Sequence, residues 1–424
     1  MKAIVHIGTE KTGTTSIQSF LYKNRAKLRK SGFHFLQCAG KTNNRAIPTY
    51  CMSNKMDDDI YRDLGITSLE GRIAYKRKFI EALENELANL PSNTRAVLIS
   101  SEHFHSRIRT DEELDNVHKL LSTYFSEIEI ICYLRDQITT CTSCYSTALK
   151  TGNASSFLDF IQRCEPTRHY YNYWGMLQDW EQRFGPENIN VSLFSIEHFL
   201  NGNLLDDFTA KIDPQLVGKL NTNIPNENES LNPSGQALSR AINLAFPVRS
   251  VRQELRELRE ECQQHIAQRH RGRGRQLSAD MQLEVFAAFV EMNEALREKY
   301  FPDEAKILEP PALPDQPHSI VMGEFLEGFQ DLLDILHSSG RKVLHEDEYP
   351  GIYNILFSCI NELLYKYGEM KLINTLNDAD ACVLRDMAIQ VERFDVPAAN
   401  MLLESIAPLG PAADGHLPAA GAVQ

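Results

Sequence analysis

Positive charge is scarce in this chain. Across 424 residues, 44 lysines and arginines stand against 57 aspartates and glutamates, so the formal net charge at pH 7 is −13. An acidic surface of this kind repels polyanions, which excludes a general binder of nucleic acid or of anionic membranes. Any anion that the chain binds must therefore be held by a local cluster of cations and backbone amides.

Long apolar runs are missing as well. No segment approaches the roughly 18 consecutive apolar residues of a membrane span, and the apolar start Met1 to Gly8 is too short for the core of a signal peptide. We therefore expect a cytoplasmic protein without a membrane span.

The cysteines do not indicate a fold that is stabilised by disulfides. The nine cysteines are an odd number scattered over a long chain, which does not predict paired disulfides. Cys141 and Cys144 form the only C-x-x-C pair, and without a second pair or nearby histidines we interpret it as helix packing. We expect no metal.

Short apolar runs and amphipathic stretches alternate in the N-terminal half. Four brief runs rich in branched residues predict strands, at Lys2 to Ile7, Ala96 to Ile99, Ile128 to Leu134 and Ile189 to Phe194. Apolar residues at helical spacing lie between them. This alternation predicts a doubly wound parallel α/β sheet with flanking helices, and ligands bind such sheets at the carboxyl ends of the strands.

A glycine- and threonine-rich turn, from Gly8 to Ile17, joins the first predicted strand to the first predicted helix. Its glycines let successive N–H groups point at one anion, and the helix N-terminus adds the positive end of its dipole. In the loop G-x-x-x-x-G-K-[ST] of nucleotide triphosphatases, a lysine follows the second glycine; here that position is Thr14, and the loop lysine is Lys11. A simple helix start capped by Thr14 or Thr15 is the alternative.

The sequence K-T-G-T-T-S resembles the 5′-phosphosulfate loop of sulfotransferases that use 3′-phosphoadenosine-5′-phosphosulfate (PAPS). The resemblance implies a P-loop-containing fold with PAPS as co-substrate and no metal, and Lys11 would stabilise the leaving phosphate. The residues that it implies for cofactor binding are Lys11, Thr12, Gly13, Thr14, Thr15 and Ser16.

Two further segments match the same family. Arg135 follows the third predicted strand, and Ser143 comes eight residues later, which is the spacing of the family's 3′-phosphate pair. The family's proline after Arg-Asp is Gln137 here, and its frequent second arginine is Thr140. The run R-G-R-G-R from Arg271 to Arg275 stands where the family has a lid, which implies that Arg271 and Arg273 bind the cofactor. A solvated basic turn is the alternative for this run.

The resemblance also implies which residue acts as the general base. Glu102 and His103 follow the second predicted strand, and carbohydrate sulfotransferases of this type use a glutamate or a histidine as base. The resemblance implies Glu102 as the catalytic base, with His103 as second choice, and a saccharide or glycan hydroxyl as acceptor. A small alcohol or phenol is the other acceptor class.

Four prolines between Glu309 and His318 mark a predicted boundary, because they cannot continue a helix or a sheet interior. We predict a sulfotransferase-like P-loop α/β domain over 1–308, a Pro-rich linker over 309–318, a small all-α C-terminal module over 319–408 and a disordered tail over 409–424. Residues 381–408 resemble one tetratricopeptide-like hairpin, so the module is a candidate surface for a protein partner.

Two other functions stay open from the residues. A P-loop nucleotide-dependent kinase would need lysine at position 14 and an aspartate after a neighbouring strand to hold magnesium. A catalytically silent P-loop scaffold would need neither, but the combination of Lys11, Arg135 and Ser143 argues against it.

Overall fold

The computed structural model describes residues 1–54, 58–224, 230–248, 252–312 and 322–345, together with 348, 351, 352, 355 and 356. The chain divides into two compact units. Unit 1 comprises Met1–Cys141, Gln162–Asn228 and Ser278–Ala312, and unit 2 comprises Thr142–Ile161, Glu229–Leu277 and Leu313–Gln424.

Unit 1 contains a five-stranded sheet in which every pair of neighbours is parallel. Its strands are β1 (Lys2–His6), β2 (Phe33–Phe35), β3 (Ala96–Ser100), β4 (Glu127–Leu134) and β5 (Ile189–Leu193). Their spatial order is β2-β3-β1-β4-β5, so the first strand is central. The register runs from Lys2 opposite Ala96 and Glu127 to His6 opposite Ser100 and Ile131.

Helices flank both faces of the sheet because alternate residues of β1 belong to different apolar cores. Ala3 and Val5 belong to one core, whereas Ile4 belongs to the other. The helices are α1 (Thr14–Lys30), α2 (Ala46–Cys51), α3 (Asp59–Asp63), α4 (Leu69–Ala88), α5 (His103–Arg107), α6 (Asp111–Tyr124), α7 (Gln137–Lys150), α8 (Phe157–Ile161), α9 (Tyr173–Phe184), α10 (Leu204–Ile212), α11 (Pro233–Ala245), α12 (Gln253–Arg269), α13 (Ala279–Tyr300) and α14 (Met322–Ser338). The Ala3 core is covered by α2, α4, α6, α9 and α13, and the Ile4 core by α1 and α10.

Polar side chains start many of these helices by accepting a backbone N–H of the first turn, which satisfies donors that have no partner inside the helix. Thr110 and Glu113 form a reciprocal capping box at the start of α6. The other residues that cap in this way include Ser68, Asn172, Asn203, Asn232 and Ser278.

Unit 2 is built around α11, α12 and α14. Their apolar faces form one core, which includes Leu238, Ile242, Ile266, Phe329 and Leu333. The helix that follows the proline-rich stretch thus packs on two helices that precede it, because its apolar face needs a cover. This division of the chain differs from the predicted boundary at residue 308.

The predicted fold class is confirmed, since the sheet is parallel and has helices on both faces. All four predicted strands are present, and the bounds of each differ from the predicted ones by one residue. Strand β2 was missed because three residues are too few to show an alternation. The predicted hairpin at 381–408 and the tail at 409–424 lie outside the described residues.

None of the helices among the described residues is both long enough and apolar enough to cross a membrane.

Trp180 is central to the core beneath β1 and β4. Its ring stacks on Phe184 with centroids 5.2 Å apart and meets Phe104 edge-on at 5.9 Å. We predict that Trp180→Ala lowers the free energy of unfolding by about 3–5 kcal/mol, through lost contacts and the cavity left behind, as measured by urea denaturation. The control Ile196→Ala removes a side chain that is 74% exposed, and we expect a change within about 0.5 kcal/mol. Equal effects of the two substitutions would contradict this.

Candidate functional site

Three loops meet at the carboxyl edge of the sheet in unit 1. Residues 7–13 follow β1, residues 101–102 follow β3, and residues 135–136 follow β4. The chain leaves β1 towards β2 and leaves β4 towards β5, on opposite sides. The space between two such strands is where ligands bind to open parallel sheets.

The loop after β1 turns sharply into α1. Gly8, Lys11 and Gly13 all have positive φ, at 102°, 66° and 71°. A Cβ on Gly13 would overlap the Leu204 side chain, so that position requires glycine for both its conformation and its space. Helix α1 begins at Thr14 with Gly13 as N-cap, so neither Thr14 nor Thr15 caps it, contrary to the capped-helix alternative.

Hydrogen bonds to β4 fix the loop. The Thr9 hydroxyl donates to the Tyr133 carbonyl at 3.0 Å, and the Thr12 hydroxyl donates to the Thr9 carbonyl at 2.6 Å. Arg135 Nη1 donates to the carbonyl of Lys11 at 3.0 Å, and the guanidinium lies 5.4 Å from the Phe194 ring centroid. The guanidinium of Arg135 is thus bonded to the backbone of the loop that carries Lys11.

The helix end beyond the loop favours an anion. The first turn of α1 contains no acidic residue, so the positive end of the helix dipole is not neutralised there. Thr14, Thr15 and Ser16, which the resemblance implies as cofactor-binding residues, occupy this turn.

Hydrogen bonds to His105 and Tyr170, which the sequence did not indicate as site residues, also hold the loop in place. The Glu10 amide donates to His105 Nδ1 at 3.3 Å, so the imidazole proton lies on Nε2, which donates to the Tyr170 carbonyl at 2.9 Å. Tyr170 also donates its hydroxyl to the Glu10 carboxylate at 2.8 Å. The position of His105, three residues after Glu102 in a short helix, gave no sequence signal for this contact.

The electrostatics of this support are consistent with its hydrogen bonds. Burial lowers the pKa of His105 to about 4, which keeps the imidazole neutral and its Nδ1 able to accept. Burial alone would raise the pKa of Glu10, but hydrogen bonds from Ser106 and Tyr170, with His105 and Lys11 nearby, bring that pKa below its usual value. The Glu10 carboxylate is therefore ionised beside Lys11.

Glu102 lies directly against the loop, since a Cβ on Gly8 would be 3.3 Å from its Cα. Its Oε2 accepts from Gln18 Nε2 at 2.6 Å and from Asn43 Nδ2 at 3.0 Å. Within the described residues, no hydrogen bond reaches Oε1. The carboxylate is thus held by one oxygen and available through the other. Gln18 and Asn43 were not predicted as site residues.

His103 adjoins the same region. Burial lowers its pKa, while the negative charge of Glu102 opposes that shift. Its Nδ1 is buried and finds no hydrogen-bond partner in the described part of the chain. Nearby, the carboxylates of Asp58 and Asp59 both pair with Arg45 and Arg107, and Asp58 lies 2.5 Å from Arg45 Nη2 and 2.8 Å from Arg107 Nε. Two negative charges thus balance these two cations.

The remaining predicted residues lie in unit 2, whereas Arg135 is in unit 1. Ser143 is on α7, where it is half-buried. The Arg271–Arg275 segment is fastened, because the Gly272 amide donates to the Ser230 carbonyl at 2.9 Å and the Arg275 amide donates to Gln236 Oε1 at 3.0 Å. The backbone of this segment is therefore hydrogen-bonded to its neighbours at Gly272 and at Arg275.

The C-x-x-C pair lies within helix α7. Cys141 and Cys144 both lie buried in α7 as free thiols. Among the described residues, no group of three or more histidine, cysteine, aspartate or glutamate side chains is placed to hold a metal ion.

Comparisons with known proteins add little. No protein-family model matches the chain, and no curated protein matches it. The crystal structure of a sulfotransferase from Alicyclobacillus acidocaldarius is similar, with 13% sequence identity and a TM-score of 0.37, over 70% of this chain and 94% of that chain. With a TM-score this low, the similarity carries no argument about the activity of this chain.

The depressed pKa of His105 makes a prediction about stability. Between pH 6.5, the ordinary pKa, and about 4, the unfolded chain binds a proton that the folded imidazole does not. Stability from this group is therefore complete above pH 6.5 and is lost as the pH falls, by about 1 kcal/mol per pH unit.

The substitution His105→Asn keeps an oxygen near the position of Nδ1 but removes the titrating group. We expect urea denaturation of this variant between pH 6.5 and 4.5 to give a stability slope that is shallower by about 1 kcal/mol per pH unit. His6, whose pKa burial lowers to about 3, remains in both proteins and cancels. Identical slopes would show that His105 is not held neutral.

Proposed function

We propose that this chain is a PAPS-dependent sulfotransferase that moves a sulfuryl group to an acceptor hydroxyl of a saccharide or glycan. The single observation that carries the proposal is the placement of Lys11, Arg135 and the N-terminus of α1 around one sheet edge. The family resemblance of K-T-G-T-T-S and of the Arg135 to Ser143 spacing supplies the chemical identity of the anion.

The residues of the loop fit a phosphosulfate. In the transfer, a bond from sulfur to the acceptor oxygen forms while the bond from sulfur to the phosphate oxygen breaks, and negative charge builds on that phosphate. Lys11, the first-turn amides of α1 and the hydroxyls of Thr14 and Thr15 would stabilise this charge, as preorganised donors do in other enzymes. The glycines at 8 and 13 let the backbone approach the anion closely.

Glu102 is the proposed general base. Its Oε2 is held by Gln18 and Asn43, which fixes the carboxylate beside the loop, and Oε1 is left to accept the proton of the acceptor hydroxyl. His103 is the second choice. The fixed carboxylate favours Glu102, because a base must be oriented towards the proton that it removes.

The kinase alternative has no specific support. Thr14 occupies the position of the kinase lysine, and Asp136, which follows Arg135, accepts from the Thr139 amide at 2.7 Å at the start of α7.

The role of Lys11 is tested by substitution. We predict that Lys11→Ala lowers the rate of adenosine 3′,5′-bisphosphate release from PAPS by about 100-fold or more, because one leaving-group donor is lost. The assay contains a panel of monosaccharides, simple alcohols and phenols as acceptors. The matched control Lys23→Ala removes an exposed lysine of α1 and should leave the rate unchanged; a similar rate for both variants would remove Lys11 from the site.

A substitution at Glu102 separates its role in turnover from the binding of PAPS. Glu102→Gln keeps the shape of the side chain but cannot accept a proton, so we expect turnover to fall by about 100-fold or more with unchanged PAPS affinity. Glu112→Gln makes the same change at an exposed position and should be silent. Near-normal turnover in Glu102→Gln would transfer the role of base to His103, and His103→Gln would then be the inactive variant.

A further inference from the structure

Strands β2 and β3 separate at the edge of the sheet that carries the candidate site. They pair in parallel register as far as Phe35 opposite Leu98, and the Leu36 amide still donates to the Leu98 carbonyl at 3.1 Å. In a regular parallel ladder, the Ser100 amide would then donate to the Leu36 carbonyl. Here both groups bond to the side chain of Asn44 instead.

The Asn44 carboxamide is thus inserted between the two strands. Its Nδ2 donates to the Leu36 carbonyl at 2.9 Å, and its Oδ1 accepts from the Ser100 amide at 2.9 Å. The Asn44 backbone amide also donates to the Ser100 carbonyl at 2.9 Å. Asn44 is 0% exposed, so water does not compete for these hydrogen bonds. Both backbone groups of Ser100 are therefore bonded to one residue of the loop after β2.

The amides that follow β2 have a different acceptor. Gln37 and Cys38 donate their amides to the Glu86 carboxylate of α4, at 2.9 Å and 2.6 Å. If the ladder continued, the Cys38 amide would instead donate to the Ser100 carbonyl, which is the group that Asn44 occupies. Buried backbone groups need partners, and Glu86 and Asn44 together supply them where the strands part.

The inserted residue lies next to a residue that holds the proposed base. Asn43 directly precedes Asn44, and Glu102 comes two residues after Ser100. Asn43 Nδ2 donates to Glu102 Oε2 at 3.0 Å. The contact between Asn43 and Glu102 is therefore closed on one side by the hydrogen bonds between Asn44 and Ser100, so the two sets of bonds depend on each other.

The turn before Asn43 is tightly packed. Gly40 has a φ of 131°, and a Cβ on it would overlap the Asn43 carbonyl oxygen. Asn44 Nδ2 also donates to the Gly40 carbonyl at 3.3 Å. A shift of the Asn44 side chain would therefore shift this turn, and with it the amide group that Asn43 directs at Glu102.

We propose that Asn44 is a positioning residue for the base: its inserted carboxamide keeps the Asn43 side chain at hydrogen-bond distance from Glu102. This inference rests on the proposed function, in which Glu102 removes the proton of the acceptor hydroxyl. The Asn44 side chain bonds to backbone groups of three segments, so it acts on the carboxylate indirectly. A displacement of about 1 Å in a reacting group costs up to about 100-fold in rate.

The rate of sulfuryl transfer tests this role. Asn44→Leu keeps the approximate size of the side chain but can neither donate nor accept a hydrogen bond. With the best acceptor of the panel at saturation, we expect kcat for adenosine 3′,5′-bisphosphate release to fall by about 10- to 100-fold. The Kd of PAPS should be unchanged, because the Lys11 loop keeps its contacts. A normal kcat would overturn the role of Asn44.

A double-substitution cycle distinguishes positioning from general damage. In Glu102→Gln the base is already lost, so adding Asn44→Leu should lower kcat no further. A further loss of about tenfold or more in the double variant would show that Asn44 does not act through Glu102, and would overturn the proposal.

The matched control is Asn24→Leu. Asn24 is also a buried asparagine of unit 1, and its carboxamide bonds to the backbone of Phe20 and Asn221. We expect this variant to lose similar stability and to keep its kcat. A fall in kcat equal to that of Asn44→Leu would count against a specific role for Asn44.

A second substitution covers the case in which Asn44→Leu does not fold. Gly40→Ala displaces the Asn43 backbone directly and should lower kcat in the same way, but not in the Glu102→Gln background. A normal kcat in Gly40→Ala would overturn the positioning of Glu102 by this turn.

Hydrogen exchange of the ligand-free protein gives a readout that does not depend on activity. Peptides that contain Ser100 should exchange faster in Asn44→Leu than in wild type or Asn24→Leu, because the Ser100 amide loses its acceptor. Unchanged exchange would overturn the inserted carboxamide as the link between the strands.

The outcomes separate the two proposals. Transfer by the wild type and loss of transfer in Glu102→Gln, together with a normal kcat in Asn44→Leu, would leave the proposed function standing and overturn the role of Asn44. A wild type that does not bind PAPS would overturn the proposed function, and the positioning of a base by Asn44 with it, whatever the exchange rates.

Discussion

The turn between β1 and α1 is the constraint on which the site depends. Three of its residues have positive φ, and Lys11, as a non-glycine residue in this region, is held there at a cost of about 1–3 kcal/mol. The surrounding contacts meet that cost, since Arg135 binds the Lys11 carbonyl and His105 binds the Glu10 amide. A turn with this shape ends with the amides of α1 facing the sheet edge, and that exposure of donors makes an anion site possible.

Positive charge is concentrated locally in a chain that is acidic overall. The chain carries a net charge of −13, yet Arg135 bonds to the backbone of the Lys11 loop at one edge of the sheet in unit 1. Arg45 and Arg107, the arginines near Glu102, are paired with Asp58 and Asp59 and so add little free positive charge. Under the proposed function, the small free positive charge beside Glu102 suits a neutral hydroxyl better than an anionic acceptor.

Much of the fold was predictable because buried parallel strands and amphipathic helices have strong periodicities. The turn around Lys11 was predictable because glycines between an apolar strand and an amphipathic helix indicate a tight turn. The residues that hold the site in place were not predictable from the sequence. His105 and Gln18 act through hydrogen bonds to residues far away in the chain, and no local pattern encodes such contacts. The place of α14 was missed because an apolar helix face does not reveal its partner.

The most direct test of the account is calorimetry on the wild-type chain with PAPS and its desulfated product in a chelating buffer, and separately with ATP and magnesium. The account predicts that PAPS and the product each bind at one site without metal, and that ATP with magnesium binds far more weakly. Binding of ATP with magnesium alone would identify a kinase-type loop, and the absence of any binding would identify a scaffold. Either result would contradict a sulfotransferase.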